Sequence, residues 1–458
     1  MVSWPLAVTG SYFQFPDVLD SCDIYRRYGV RIVDKNKVLE EIERMKDEMV
    51  ELLREFIKIP TENPPGDNYE RFMDFMGASL KEFGYDVTMI KVPYREDLSF
   101  PSEKGRVNLY AKLSGEGEKP RIHLNGHVDT VPAGDGWSVN PFGGEIKDGR
   151  IYGRGASDMK SGLVAQIFAV EALRRAGIKL KGTIEQSAVV DEETVGNKNA
   201  GMYYLVEKGI ISKEKTDYVI ITEPLDPDRV CLGHRGALRF QMETFGKQAH
   251  GAMPYSGINA GIKMANFLTL IDKELIPKIK ERKTATPVVP EEAKRSSLSL
   301  GMLSAGSATN LVPSRAIATF DRRLNPEEDL DGARKEFYRC AEAFAMIDPE
   351  FKYKIKELYA TSPVVVSEDQ PIVEALKEGI KSIYGKKAQM VLSPGTDDQR
   401  FVVNNAGINS CVLYGPGRLE EAHVSDEHID IQDLINGTKV LAIAVGTLME
   451  RDEKNRVF

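Results

Sequence analysis

From Asn36 to about Ile59, apolar residues recur three and four positions apart in VLEEIERMKDEMVELLREFIKI, with charges of both signs on the other face. That spacing predicts an amphipathic helix. PTENPPGD interrupts it, and YERFMDFMGASLKEF predicts a second helix running to about Phe83, with Gly84 as its stop. An alternation of short apolar runs and helical periods follows. VNLYAKL and RIHLNGH read as strands, KSGLVAQIFAVEALRRAG as a helix closed by Gly177, and GTIEQSAVV as a strand. AGMYYLVEKG then reads as a helix and DYVIIT as a buried strand. Strands alternating with helices in this way predict an α/β layer fold with a mostly parallel sheet and helices on both faces.

Near residue 232 the pattern changes. GALRFQMETFG alternates as a half-exposed strand should, and NAGIKMANFLTLIDKEL follows as a helix. SSLSLGMLSAG and RAIATFDRRL are two more strands, EEDLDGARKEFYRCAEAFA a second helix, and FKYKIKEL a last strand. The order β-α-β-β-α-β predicts a small α+β unit with helices on one face of an antiparallel sheet. Beyond Leu358 the α/β pattern resumes with the helix PIVEALKEGIKSIYG, the strand SCVLYGPG and the terminal helix IQDLINGTKVLAIAVGTLME. The expected organisation is an N-terminal extension over 1–37, one α/β domain split between 38–231 and 361–458, and an insertion at 232–360. The extension lacks a basic n-region and a sustained apolar h-region, so it does not read as a secretory signal. Either it is a loosely packed segment or the start codon lies further downstream.

The 458 residues exceed what one compact core holds, in keeping with more than one domain. A formal net charge of −8, from 61 basic and 69 acidic side chains, argues against nucleic acid as the main partner. No run of 18 or more apolar residues suggests a membrane span. The four cysteines, Cys22, Cys231, Cys340 and Cys411, are far apart and show no CxxC spacing. They read as reduced thiols, and the expected location is the cytoplasm.

The candidate chemistry gathers at strand ends, where open α/β sheets build their sites. Only six histidines occur, and His127 in HLNGHVDTVP falls where a strand leaves the sheet. Asp129 follows two residues on, close enough to orient the imidazole. GRGASDMKSG places Asp158 just before a helix, where capping is the simpler explanation. SAVVDEETVG ends an apolar run in three acids, Asp191, Glu192 and Glu193. Alone they would read as a solvated loop. VIITEPL ends a buried strand at Glu223, and EEAHVSDEHID places His423 beyond the last strand. His123, His234 and His428 read as structural. Two imidazoles and several carboxylates without sulfur suit zinc, with cobalt or manganese as substitutes. Two metals would need a bridging ligand and a carboxylate left free as base. Because neighbouring strand residues face opposite ways, Glu192 and Glu193 can serve one site only if the strand ends at or before Asp191.

Taken in order, GHVDTVP, GRGASDMKSG, DEETVG and TEP make the chain resemble the di-zinc amidohydrolases and exopeptidases. That family includes acetylornithine deacetylase, succinyl-diaminopimelate desuccinylase, aminoacylase and glutamate carboxypeptidase. The resemblance spans about residues 38–450 and implies that the insertion is a lid and dimerisation domain. It departs at Ser161, where the family's DMKGG pattern has glycine. It implies that His127, Asp158 and Glu223 hold one metal and that Asp158, Glu193 and His423 hold the other. Asp158 would bridge, Asp129 would orient His127, Glu192 would be the general base, and the Asp158–Met159 peptide would be cis. His250 in GKQAHGAMPYSGINA would reach a partner subunit's site in a homodimer. Asn310 in ATNLVP, Arg323 in FDRRLNP and Arg400 in GTDDQRF would bind substrate; a turn asparagine, a surface arginine and a structural salt bridge are their simpler readings. Asp191 reads as a plain loop residue. The implied activity is hydrolysis of an N-acyl amino acid by a metal-activated water. A dipeptidase or carboxypeptidase is the alternative within the enzymes, and a catalytically silent metal-binding protein the alternative outside them.

Overall fold

The computed structural model describes residues 35–98, 105–194 and 196–450. The expected N-terminal extension therefore lies almost wholly outside the described residues, as does Cys22. The first helical pattern forms two helices, Lys35–Arg44 and Lys46–Ile57, parted at Met45. Both bury one face, through Val38 and Ile42 and then through Met49, Leu53, Phe56 and Ile57.

A nine-stranded mixed sheet forms the larger layer. Its first six strands are β1 Asp86–Val92, β2 Arg106–Ser114, β3 Arg121–His127, β4 Thr183–Val189, β5 Tyr218–Ile221 and β6 Arg229–His234. The inserted sheet holds β7 Gly236–Phe245, β8 Ser297–Ala305, β9 Arg315–Leu324 and β10 Lys352–Thr361. The chain then returns to the large sheet with β11 Val364–Val365, β12 Gln389–Ser393 and β13 Cys411–Leu413. The strand order is β1-β2-β4-β3-β5-β13-β6-β11, with β12 also paired to β6. The central run β4-β3-β5-β13 is parallel, so the C-terminal ends of four strands open on one edge. The flanks at β1-β2, β2-β4 and β6-β11 are antiparallel.

Helix Ser161–Arg175 is buried at every residue from Ser161 to Leu173, as a helix apolar on all sides must be. It packs against the sheet and the terminal helix Ile431–Glu450. Gly162 makes this close fit possible, because a Cβ there would lie 2.1 Å from the Thr222 carbonyl oxygen. That contact brings the turn carrying Asp158 against the strand end carrying Glu223.

The inserted sheet runs β8-β9-β7-β10, antiparallel throughout. Leu238, Phe240, Met242, Ala318 and Phe320 face helices Ala260–Glu274 and Leu330–Ile347, where they meet Phe267, Phe337 and Phe344. The other face carries the polar partners of the alternation, among them Arg239, Asp321 and Arg323, and is half-buried. The change of sheet falls between His234 and Gly236.

Gly162→Ala should force the helix away from Thr222 and destabilise the fold by about 1–3 kcal/mol, the usual cost of overpacking. Urea unfolding measures this, and an unchanged midpoint would mean that the helix can shift freely.

Candidate metal centre

The five expected ligands and the expected base, Glu192, converge at the open edge of the sheet. His127 ends β3, Glu223 follows β5, Glu192 and Glu193 follow β4, Asp158 precedes helix Ser161–Arg175, and His423 lies on the loop after β13. His127 Nε2 is 3.1 Å from Asp158 Oδ1 and 3.5 Å from Glu223 Oε1. His423 Nε2 is 2.8 Å from Glu193 Oε1 and 3.3 Å from Asp158 Oδ2. Each oxygen of Asp158 thus faces a different imidazole. Ligand atoms of His127, Asp158 and Glu193 lie within 4.8 Å of one another, as do those of His127, Glu192 and Glu223. The Asp158–Met159 peptide is cis.

His127 is held through its other nitrogen. Nδ1 is 2.8 Å from the main-chain carbonyl of Asp129, so Nδ1–H donates there and Nε2 is turned toward the site. The Asp129 carboxylate does different work. It lies 3.8 Å from Nδ1 and instead accepts the backbone N–H groups of Glu192, at 3.2 Å, and Glu193, at 3.0 Å. Asp129 orients the imidazole with its backbone and the two glutamates with its side chain.

β4 ends at Val189 and Asp191 has φ +61°, so the strand stops before the triplet, as two glutamates serving one site require. Asp191 is no plain loop residue, however. Its side chain is fully buried and accepts from Arg106 Nε at 2.9 Å, Asn63 Nδ2 at 3.1 Å and the Tyr69 hydroxyl at 3.2 Å. Asn63 Nδ2 also donates to Asp129 Oδ2 at 2.9 Å. The loop PTENPPGD, which reads only as a helix breaker, therefore supplies a bridge beneath the site. No sequence spacing links Asn63, Arg106 and Asp191, and a buried arginine facing an acid gives no local signal.

The electrostatics are those of acids crowded out of water. Burial, then Glu223, pushes the Glu192 carboxyl well above its usual range. Burial raises Glu223 to about 8 despite His127 beside it, and raises Glu193 despite His423. Burial works against charge on Asp158 too, but donation from His127 and His423 holds its carboxyl well below the usual range. Asp158 and Glu193 in turn hold His423 up at about 11. For His127, burial opposes the charge and Glu223 with Asp158 outweighs it. Four carboxylates thus face two imidazoles. The mixed N/O donors and the excess negative charge fit divalent cations.

The remaining expected residues lie apart from this cluster. His250 is exposed on the two-residue strand Ala249–His250, opposite Leu311, and its Nδ1 accepts the Ala252 N–H at 3.0 Å. Asn310 is exposed beside it, its carbonyl accepting the Gly251 N–H at 2.7 Å. Arg323 is paired with Asp321 at 2.7 Å. Arg400 is buried and donates to the Tyr359 hydroxyl at 3.0 Å, and among the described residues it forms no salt bridge such as its simpler reading expects. Arg235, which sequence reasoning passed over, is also buried and donates to the Ala293 carbonyl at 2.7 Å. Among the described residues, Nε of Arg400 and both Nε and Nη2 of Arg235 have no hydrogen-bond partner.

A profile of Peptidase family M20/M25/M40 matches residues 123–446, which span every ligand of the cluster. The chain belongs to the M20/M25/M40 family. Among its relatives, a succinyl-diaminopimelate desuccinylase of Gluconacetobacter diazotrophicus is 29% identical over 408 residues, covering 87% of this chain and 96% of the relative. The dipeptidase Dug1p of Saccharomyces cerevisiae shares the fold with a TM-score of 0.74 at 20% identity, over 92% of this chain and 100% of the other. A dinuclear metal-binding M20 peptidase of Bacillus subtilis matches with a TM-score of 0.63 at 15% identity, over 89% of this chain and 99% of the other. As an M20/M25/M40 member the protein is a metal-dependent amide hydrolase. Among the described residues, no helix is long and apolar enough to cross a membrane.

Asp191→Ala would break the buried Arg106–Asp191 ion pair and remove the acceptor that Arg106, Asn63 and Tyr69 share, at an expected cost of about 3–5 kcal/mol. Urea unfolding tests this. A loss below about 1 kcal/mol would mean that water or a neighbour replaces the carboxylate.

Proposed function

We propose that the protein hydrolyses the amide of an N-acyl amino acid at a two-cation centre. His127, Asp158 and Glu223 would hold one cation, and Asp158, Glu193 and His423 the other. The observation that carries this reading is the split of the Asp158 carboxylate, one oxygen toward each imidazole. When bound, a pair of divalent cations, zinc by its fit to mixed N/O donors and cobalt or manganese as substitutes, polarises the scissile carbonyl and acidifies the attacking water. Glu192 takes the proton from that water and passes it to the leaving amine. Asp129 keeps the backbone of Glu192 and Glu193 in place during the transfer. His250 donates a hydrogen bond to the oxyanion of a second subunit's substrate. Its exposure on the inserted domain supports this, as does the open edge of β8, where Leu300, Met302 and Leu303 are exposed. That edge pairs with a second copy in a homodimer. The substrate is a free small molecule met in the cytoplasm.

The acyl group in this reading ends in a carboxylate. Arg400 and Arg235 are buried cations that form no salt bridge among the described residues, although Asp398 acts on Arg400 through space, and their donors without a hydrogen-bond partner suit a carboxylate. Arg323 and Asn310 complete the substrate contacts from the inserted domain. The desuccinylase relative is named for removing such a group.

Two experiments bear on this. Glu192→Ala should keep metal content near wild type while abolishing hydrolysis, a loss of at least about 10²-fold for a general base. Activity within about tenfold of wild type would remove Glu192 from that role. Separately, N-succinyl amino acids should outperform N-acetyl ones and dipeptides with zinc or cobalt present. Arg400→Met should lower kcat/KM for the succinyl substrate by about 10–100-fold, as loss of a charged hydrogen bond does, and leave the acetyl substrate nearly unaffected. Dipeptides cleaved fastest would establish the dipeptidase alternative.

A further inference from the structure

His423 is half exposed and sits on a loop whose backbone is left-handed at His423, φ +62°, and again at Asp426, φ +58°. Neither conformation is one that a non-glycine residue prefers. A metal ligand on such a loop needs a fixed anchor, and Glu427 is the side chain placed to supply it. It is buried, with 1% of its side chain exposed, although it carries a carboxylate. Oε1 accepts the backbone N–H groups of Ser157, at 2.9 Å, and Asp158, at 3.0 Å. Oε2 accepts from Arg154 Nη1 at 2.6 Å, and Arg154 is buried as well. The Glu427 carbonyl accepts the Gly153 N–H at 2.9 Å. The same loop is tied down beside it, where the Arg418 N–H and the Ser157 hydroxyl share a 2.9 Å contact.

We infer that Glu427 is a positioning residue that sets Asp158 against His423. One loop then does two jobs, presenting the imidazole at residue 423 and gripping the main chain of the bridging carboxylate with residue 427. Asp158 lies in a turn with non-helical backbone, so nothing in the adjacent helix holds its N–H. The two N–H groups that Glu427 accepts are those of Asp158 and of the residue before it. Losing that grip would free Asp158 to move relative to His423 without touching either side chain. This inference rests on the two-cation reading above and assigns a role to a residue outside its ligand set.

The test uses the full-length protein and cobalt as the probe metal. Glu427→Ala removes the acceptor, whereas Arg154→Ala breaks the same buried ion pair but leaves Oε1 facing Ser157 and Asp158. If Glu427 positions Asp158, Glu427→Ala should weaken cobalt binding at one of two sites by about 10–100-fold, the range for residues that support a metal ligand. It should also change the cobalt d–d absorption and lower kcat more than it raises KM. Arg154→Ala should match it in lost thermal stability while keeping cobalt affinity and absorption close to wild type. Equal effects of the two variants on cobalt affinity, or a Glu427→Ala protein with wild-type affinity and spectrum, would overturn the inference. Should Glu427→Ala fail to fold, Glu427→Gln keeps one acceptor oxygen. Its cobalt spectrum should then stay close to wild type, and a spectrum lost together with the negative charge would refute the role assigned to the acceptor. A wild-type protein that binds fewer than two cobalt ions would refute the two-cation reading instead.

Discussion

The organising constraint of this protein is the meeting of four carboxylates and two imidazoles in a space largely shut off from water. Asp158, Glu192, Glu193 and Glu223 repel one another, and burial makes the repulsion stronger by lowering the local dielectric. Such a cluster holds together only where opposite charge is shared among its members. Asp158 illustrates the sharing, with one oxygen 3.1 Å from His127 and the other 3.3 Å from His423. Everything around the cluster can be understood as rigid support for groups that would otherwise separate.

That support is made of backbone acceptors and buried ion pairs. Asp129 holds the main chain of Glu192 and Glu193, and Asp191 with Arg106 and Asn63 holds the turn that presents them. Glu427 with Arg154 holds the turn of Asp158. Asp129 and Glu427 fix a loop by accepting backbone N–H groups, whereas Asp191 does so by accepting from the side chains of Asn63, Tyr69 and Arg106. A buried ion pair contributes little net stability because desolvation offsets its attraction. Its value here is geometric, since removing either member leaves an uncompensated charge and the loop loses its single favoured shape.

Much of this was legible in the chain. Alternating strands and helices, and a shift to β-α-β-β-α-β in the insertion, follow from local periodicity, while the ligand set followed from the resemblance of the ordered motifs to a known family. Strands Asp86–Val92, Arg229–His234 and Gln389–Ser393 were harder to read. The first is an edge strand whose residues are mostly exposed or half-buried, and the other two are short and take their identity from the partners they pair with. Asp191 was misread for a related reason. As the first of three acids it looks like the most solvated, yet its partners Asn63, Tyr69 and Arg106 come from residues far away in sequence.

Residue identity by itself determined which groups are available, two imidazoles and a set of carboxylates at strand ends, and so the class of ion they suit. It also determined that the strand must end before Glu192 for both glutamates to serve one site, because side-chain direction along a strand alternates. Only the tertiary structure decided which acids face the cluster and which anchor its loops. Carboxylates are chemically alike, and what separates Asp191 from Glu192, or Glu427 from Glu193, is the donor each one meets across the fold.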